Sequence, residues 1–395
     1  MVIVPGMRSP LACLVFALVA PLTAHAQKFT NGEWVYSTNN VPAGCAAIEG
    51  YLGTGGDDGH IIVPSVIGTY NICQTRSPSD YANIWGQINI ATNTSVLQIT
   101  IPEGVTNVGG FSYAVNLTNV NLPSTLKIVG GYAFQGCSSL VSAALPVGTE
   151  EIWSRAFEGC EDLTTLIMPD TVRSVGAWAF YDSGAETLKL STGLMSIGEG
   201  AFMRCGGLGN VVIPSGVVNI PNSAFHLAYI TSLHLPEGLT NIGTNAFYQT
   251  SIRTVTIPAS VVTIRSNAFA SCGSLTNVTF GNGAPIALTS IEGGAFAPHL
   301  SSYQNYGLGI TKASLPFTSA ARVTIATNAF LFPPSEITYD YGMLANVEPF
   351  VEALAQNEAF VAAVASRIMA ASNNYGLATK SDLGVVESNT VAAVQ

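Results

Sequence analysis

Residues 163–180 run Leu163-Thr164-Thr165-Leu166-Ile167-Met168-Pro169-Asp170-Thr171-Val172-Arg173-Ser174-Val175-Gly176-Ala177-Trp178-Ala179-Phe180. The opening Leu-x-x-Leu-x-Met ends in strict alternation. In a strand that turns Leu166 and Met168 to one side and Ile167 to the other. Pro169 ends the strand, because proline has no N–H to give to a ladder. The closing Ala-Phe is the beat of the chain. It recurs with phenylalanine at 134, 157, 180, 202, 225, 247, 269, 296 and 330, spaced by 22 or 23 residues as far as Phe269 and by 27 and 34 after it. A hydrophobic-Pro pair keeps time with it at Pro102, Pro123, Pro146, Pro169, Pro214, Pro236 and Pro258.

A unit of this length cannot bury its apolar side alone, so copies must stack and share a continuous core. After Phe134, spacings of three lead to Cys137 and Leu140, which predicts a helical or 3-10 turn on the side of the coil opposite the strand. Phe134, Phe157, Phe202 and Phe269 each carry a cysteine three residues on, at Cys137, Cys160, Cys205 and Cys272. The rungs of Phe180, Phe225 and Phe247 lack it and are shortened there by one residue, a change that an outer arc absorbs while strand register is kept.

The repeated Leu-Pro, then Val/Leu-x-x-Ile-Gly, then Ala-Phe-x-x-Cys-x-x-Leu resembles the BspA-like leucine-rich repeats of bacterial surface proteins. Ile48-Glu49-Gly50-Tyr51, Ile61-Ile62-Val63-Pro64-Ser65 and Gly68-Thr69-Tyr70 resemble that family's first coil. The resemblance spans about residues 46–330, with departures at Ser191, where proline is expected, and at Gly281. It implies an α/β leucine-rich repeat solenoid and a surface or secreted protein that binds other proteins. The expected architecture is about ten coils of 22–23 residues, with a parallel sheet on one face, short helical or 3-10 turns on the other, and a C-terminal α-helix.

The expected layout is an export signal at 1–26, an N-terminal cap with a first degenerate repeat at 27–80, and BspA-like repeats at 81–297. A degenerate C-terminal repeat or cap at 298–345 and a heptad helix with its tail at 346–395 complete it. The signal rests on Arg8, the apolar run Leu11 to Ala20, and Ala24-His25-Ala26 before a cut that leaves Gln27 first. In the last segment Val347, Leu354, Val361 and Ile368 are seven apart, with Phe350, Asn357, Val364 and Ala371 between them. Such a seam either zips chains together through residues 347–371 or lays an amphipathic helix on the last coil.

Composition narrows function by exclusion. The chain has 395 residues, only 10% of them charged and 48% hydrophobic, and a formal net charge of −10. That balance lacks the clustered basic face a nucleic acid requires. Mean hydropathy is +0.38, yet no stretch reaches the ~20 apolar residues of a membrane span. The five histidines, His25, His60, His226, His234 and His299, show no metal-ligand spacing. No nucleophile elbow or phosphate loop is present. Gly55-Gly56-Asp57-Asp58-Gly59 lacks the spaced oxygens of a calcium loop. No catalytic, cofactor or metal residue is therefore assigned, and no enzyme is expected.

Export permits a disulfide between Cys45 and Cys73, two free thiols being the alternative; the four ladder cysteines read as buried thiols. The candidate partner-binding face is the row between the last two inward strand positions, Asn121, Ala144, Ile167, Lys189, Val212, His234, Thr256 and Thr279, preceded by Thr100. Solenoids bind along such a surface. The function this favours is adhesion or protein–protein interaction at the cell surface. The partner would be an unidentified protein on a host or neighbouring cell, docked on a concave strand face. The alternative is a stalk or appendage subunit, a homo-oligomer held by the heptad helix.

Overall fold

The computed structural model describes residues 29–31, 34–37, 45–51, 60–67 and 70–75, then 96–281 apart from residue 186, then 287–297, 312–316, 324–325, 329 and 336–340. Most described repeats contribute two strands rather than one, the rung of Ser142 keeping only a single bridge to Asn119 in place of its long strand. The long strands, such as Gln98–Thr100, Asn119–Asn121, Thr165–Ile167, Thr187–Lys189, Gly209–Val212, Ile230–His234, Thr254–Ile257 and Asn277–Phe280, arise from the Leu-x-Leu alternation. The short strands, from Asn107–Val108 through Ser174–Val175 to Ser290–Ile291, arise from the Val-x-x-Ile-Gly segment. Both sets pair in parallel between successive rungs, with Leu166 opposite Leu188 in one ladder and Ile152 opposite Val175 in the other. The expected single sheet is thus two ladders meeting at the proline corner. Two-residue strands are too short to show alternation, which is why the second ladder is silent in the sequence.

The third side of each coil is a turn arc. No helix occurs among the described residues, so the expected helical or 3-10 turns are found there only as turns, with Cys137 bonded to Phe134 and Leu140 to Cys137. In the Phe134 rung the amides of Ala133, Gln135 and Cys137 bond back three residues within the rung. Those of Tyr132, Phe134 and Gly136 donate to Ser154, Ala156 and Glu158 of the next one. A helix points every N–H along its own axis and cannot alternate in this way. The alternation uses left-handed residues two before and two after the phenylalanine. Among them are Tyr132, Arg155 and Trp178 on one side and Asp182, Arg204 and Leu227 on the other, with φ of 54° to 60°.

The apolar side chains of all three sides meet in one core. Its axis is a column of nine phenylalanine rings from Phe111 to Phe296, with adjacent centroids 5.1–5.7 Å apart and planes within 1–19°. Burying one such ring contributes about 1.5–3 kcal/mol. Phe111 was not in the Ala-Phe count because Gly110 precedes it. Phe330 lies outside the described residues. Among the described residues the column accounts for about eight turns. Ser191 takes the proline position without loss of the turn, because its buried hydroxyl accepts the Gly193 N–H at 3.1 Å.

On the N-terminal side, Phe29–Asn31, Trp34–Ser37 and Cys45–Tyr51 pair antiparallel, and Cys45–Tyr51 then joins Tyr70–Thr75 in parallel at the edge of the short-strand sheet. The export signal and the heptad helix lie outside the described residues.

Candidate functional site

The row read from the sequence is a physical column. Register places Thr100 opposite Asn121, Ile167 opposite Lys189, Val212 opposite His234, and Thr256 opposite Thr279. It runs along the outward side of the long-strand ladder, because the flanking residues Leu166, Met168, Val211 and Ile213 turn into the core. Asn121, Ala144, Ile167, Lys189, Val212, His234 and Thr256 are exposed and Thr279 is half-buried. Polar pairs bonded to themselves lie on either side of the centre of the column, and beyond Thr100 the row continues to Ile62, which is 65% exposed. Asn121 Nδ2 donates to Thr100 Oγ1 at 3.0 Å, and Thr279 Oγ1 to Thr256 Oγ1 at 2.9 Å. The middle is apolar, with Ile167 61% and Val212 53% exposed on either side of Lys189.

A second outward row, two residues earlier on each strand, was not read from the sequence. Asn119, Ser142, Asn210, Ser232, Thr254 and Asn277 form it, all at least part-exposed and none charged. Strand alternation alone signals it. The face is therefore two columns wide: an uncharged hydrogen-bonding row beside a row with an apolar centre.

The ladder cysteines do not reach this face. Cys137, Cys160, Cys205 and Cys272 are free and buried. They are more than small apolar fillers, since each thiol donates to the phenylalanine carbonyl of the preceding rung, as Cys205 Sγ does to Phe180 at 3.0 Å. Burial pushes the Cys137 and Cys205 thiols up to about 12 and that of Cys272 to about 11, which makes them poor nucleophiles. In the N-terminal strands Cys45 sits opposite Asn71, two positions before Cys73 on the adjacent strand.

Histidines are dispersed. His60 Nε2 lies 2.8 Å from Thr100 Oγ1, His234 belongs to the outward row, His226 packs on the Tyr248 ring of the turn arc at 4.9 Å, and His299 lies outside the described residues. Among the described residues no group of three or more His, Cys, Asp or Glu could hold a metal ion. The arc also carries an aromatic cluster unread in the sequence. Arg155 lies 5.6 Å over Trp178 while bonding Glu158 at 2.8 Å, and Trp153 Nε1 donates to Glu151 at 2.7 Å. These groups satisfy one another, and the Trp178 ring also lies against Gly200 of the following rung.

Residues 90–208 and 195–306 match the family model described as the BspA type leucine rich repeat region, in six copies. The chain belongs to this family. The BspA-type repeats thus span most of the described solenoid, and the match is to a repeat family rather than an enzyme family. Bacterial leucine-rich repeat proteins are also found among similar solved structures. A leucine rich cell surface protein of Faecalibacterium prausnitzii is 22% identical, covering 78% of this chain and 86% of that one at a TM-score of 0.49. A leucine-rich repeat protein of Bacteroides ovatus is 19% identical, with 79% and 90% covered and a TM-score of 0.49. The pneumococcal vaccine antigen PcpA is 15% identical, with 85% and 97% covered and a TM-score of 0.44. Comparison with curated proteins gives no match. No helix among the described residues is long and apolar enough to cross a membrane.

Proposed function

We propose that this BspA-type repeat protein is exported and mediates protein–protein interaction or adhesion at the cell surface through the outward face of its long strands. The observation that carries the reading is the Ile167–Lys189–Val212 centre. Two exposed aliphatic side chains there flank a lysine, with self-bonded polar pairs further along the same column on either side. An apolar core with a polar rim is the anatomy of a protein-binding patch. An export signal at residues 1–26, cut after Ala26, is part of this proposal, and the surface character of the family supports it.

A photo-reactive benzophenone amino acid at Ile167 or Val212, and at Gln249 on the turn arc as control, tests the face. The protein is irradiated on intact cells of a candidate host or neighbouring species. Adducts from positions 167 and 212 but not 249 are expected; equal yields from all three, or none from the strand positions, contradict the assignment.

The second reading, a stalk subunit oligomerised through residues 347–371, rests on the seven-residue spacing of Val347, Leu354, Val361 and Ile368. Sedimentation of the full chain decides it, a monomer at high concentration removing it.

A further inference from the structure

At one step of the solenoid both ladders stop together. The long-strand ladder ends at Thr187–Lys189 and restarts at Gly209–Val212, and the short-strand ladder ends at Ser196–Ile197 and restarts at Asn219–Ile220. The long-strand ladder is interrupted elsewhere, but among the described residues only here does the short-strand ladder stop as well.

On the short-strand side the break coincides with one residue. Just after each short strand, an N–H donates to a carbonyl of the rung before: Gly176 to Ile152 at 2.7 Å, Gly198 to Val175 at 2.8 Å, Gly243 to Ile220 at 2.8 Å, and likewise in the remaining rungs of this ladder. The residue at that position in the rung after the break is Pro221, which has no N–H to give to Ile197. A second series of bonds, carried by the residue before each short strand, has its gap at the same step. Met195 donates to Arg173 and Thr240 to Val218 at 2.9 Å, while no bond joins Val218 to Met195. On the long strand the same step follows the Gly206-Gly207 pair. Gly209, which opens the strand after the break, is in the left-handed region, and a register shift between Gly209 and Asn210 follows one step further on, where Gly209–Val212 pairs with Ile230–His234.

The turn arc, by contrast, crosses the step intact. Phe202 N–H reaches the Ala224 carbonyl and Arg204 N–H the His226 carbonyl, both at 2.8 Å, and the Phe202 and Phe225 rings are 5.1 Å apart. On the strand side what remains is packing, since a Cβ on Gly216 would meet the Leu194 carbonyl at 2.7 Å.

We propose that the rung ending at Cys205 and the rung beginning at Gly209 form a hinge, with the arc as its axis and the two strand faces as the sides that open and close. Bending costs no ladder hydrogen bond there and costs several at every intact step. The seam passes between Lys189 and Val212, so bending changes the spacing in the centre of the candidate partner face. That consequence, unlike the hinge, rests on the partner-face reading.

Spin labels on cysteines at positions 174 and 263 (Ser174→Cys, Thr263→Cys) span the seam in four rungs, about 19 Å along the stack. Labels at 107 and 196 (Asn107→Cys, Ser196→Cys) span four rungs without it. The unsubstituted protein, carried through the same labelling, is the reference for native thiols. Pulsed electron resonance on the free protein is expected to give a broader distance distribution for the seam pair. Pro221→Ala supplies the missing N–H without adding a Cβ, and is expected to narrow that distribution to the width of the other pair. Equal widths in the parent background overturn the hinge whether or not the variant folds. An unchanged width in a folded Pro221→Ala overturns the assignment to Pro221.

Discussion

The rings of Phe180 and Phe202 lie 5.5 Å apart and 3° from parallel, on rungs whose backbones are also joined by the Phe180 N–H bond to the Ala201 carbonyl at 2.8 Å. The side chain and the amide of one residue thus make the same inter-rung contact twice, once through packing and once through a hydrogen bond. Removing the ring leaves a void with phenylalanine above and below it. Phe180→Ala is expected to lower stability by about 3–5 kcal/mol, with Phe180→Leu costing less, read from urea denaturation midpoints.

Gly176 marks a close approach of backbones. A Cβ there would run into the amide of Ser154 and the end of Trp153 on the preceding rung, neither of which is a flexible side chain. Gly176→Ala is expected to destabilise by about 1–3 kcal/mol, whereas Ala177→Gly beside it requires no such displacement. Thermal denaturation of the two variants side by side checks the difference.

The buried thiols set an alkaline limit. Burial holds Cys137, Cys160, Cys205 and Cys272 protonated well past the ordinary thiol value of 9.0. In the unfolded chain they ionise near that value, so the unfolded state releases protons that the folded state keeps. Their contribution is complete below pH 9 and is lost as pH rises towards about 12. Denaturation midpoints at about pH 8 and about pH 10.5 are expected to fall at the higher pH, and less steeply in Cys205→Ala. Alkylation at neutral pH is expected to leave all four thiols unmodified until denaturant is added.

His226 acts at the other end of the pH scale. Its Nδ1 is buried without a hydrogen-bond partner. Burial first, and the Arg204 charge second, hold the ring below the ordinary histidine value of 6.5. The unfolded chain takes up a proton that the folded chain refuses, so stability is complete above about pH 6.5 and declines as pH falls below it. His226→Gln is expected to flatten that acid slope, measured by thermal denaturation across the range.

The stack was legible because its largest side chain has a fixed address. Phenylalanine must meet phenylalanine, so the spacing of Phe134 through Phe269 gives the rung, and the alternation around Ile167 gives both the long strand and its exposed row. The short ladder was not legible, since its strands show only one inward side chain each. Nor was the left-handed arc. Gly200, Asn245 and Asn267 advertise such a backbone, but Tyr132, Arg155 and Trp178 adopt it at the same position, where inter-rung stacking such as Arg155 on Trp178 offsets the strain. Pro221 was visible in the sequence, yet its meaning depends on knowing that its neighbours in the column donate hydrogen bonds.

The claim on which everything rests is that each column phenylalanine ties its rung to the next through the backbone as well as the ring. Nine phenylalanine amides, from Phe111 to Phe296, donate to the following rung at 2.7–2.9 Å, in a chain with 17 phenylalanines. Hydrogen exchange of protein labelled with ¹⁵N only at phenylalanine reads these amides directly. These amides are expected to be among the slowest to exchange, with those of the central rungs exchanging together; column amides that exchange as fast as an exposed turn would contradict the doubled inter-rung tie.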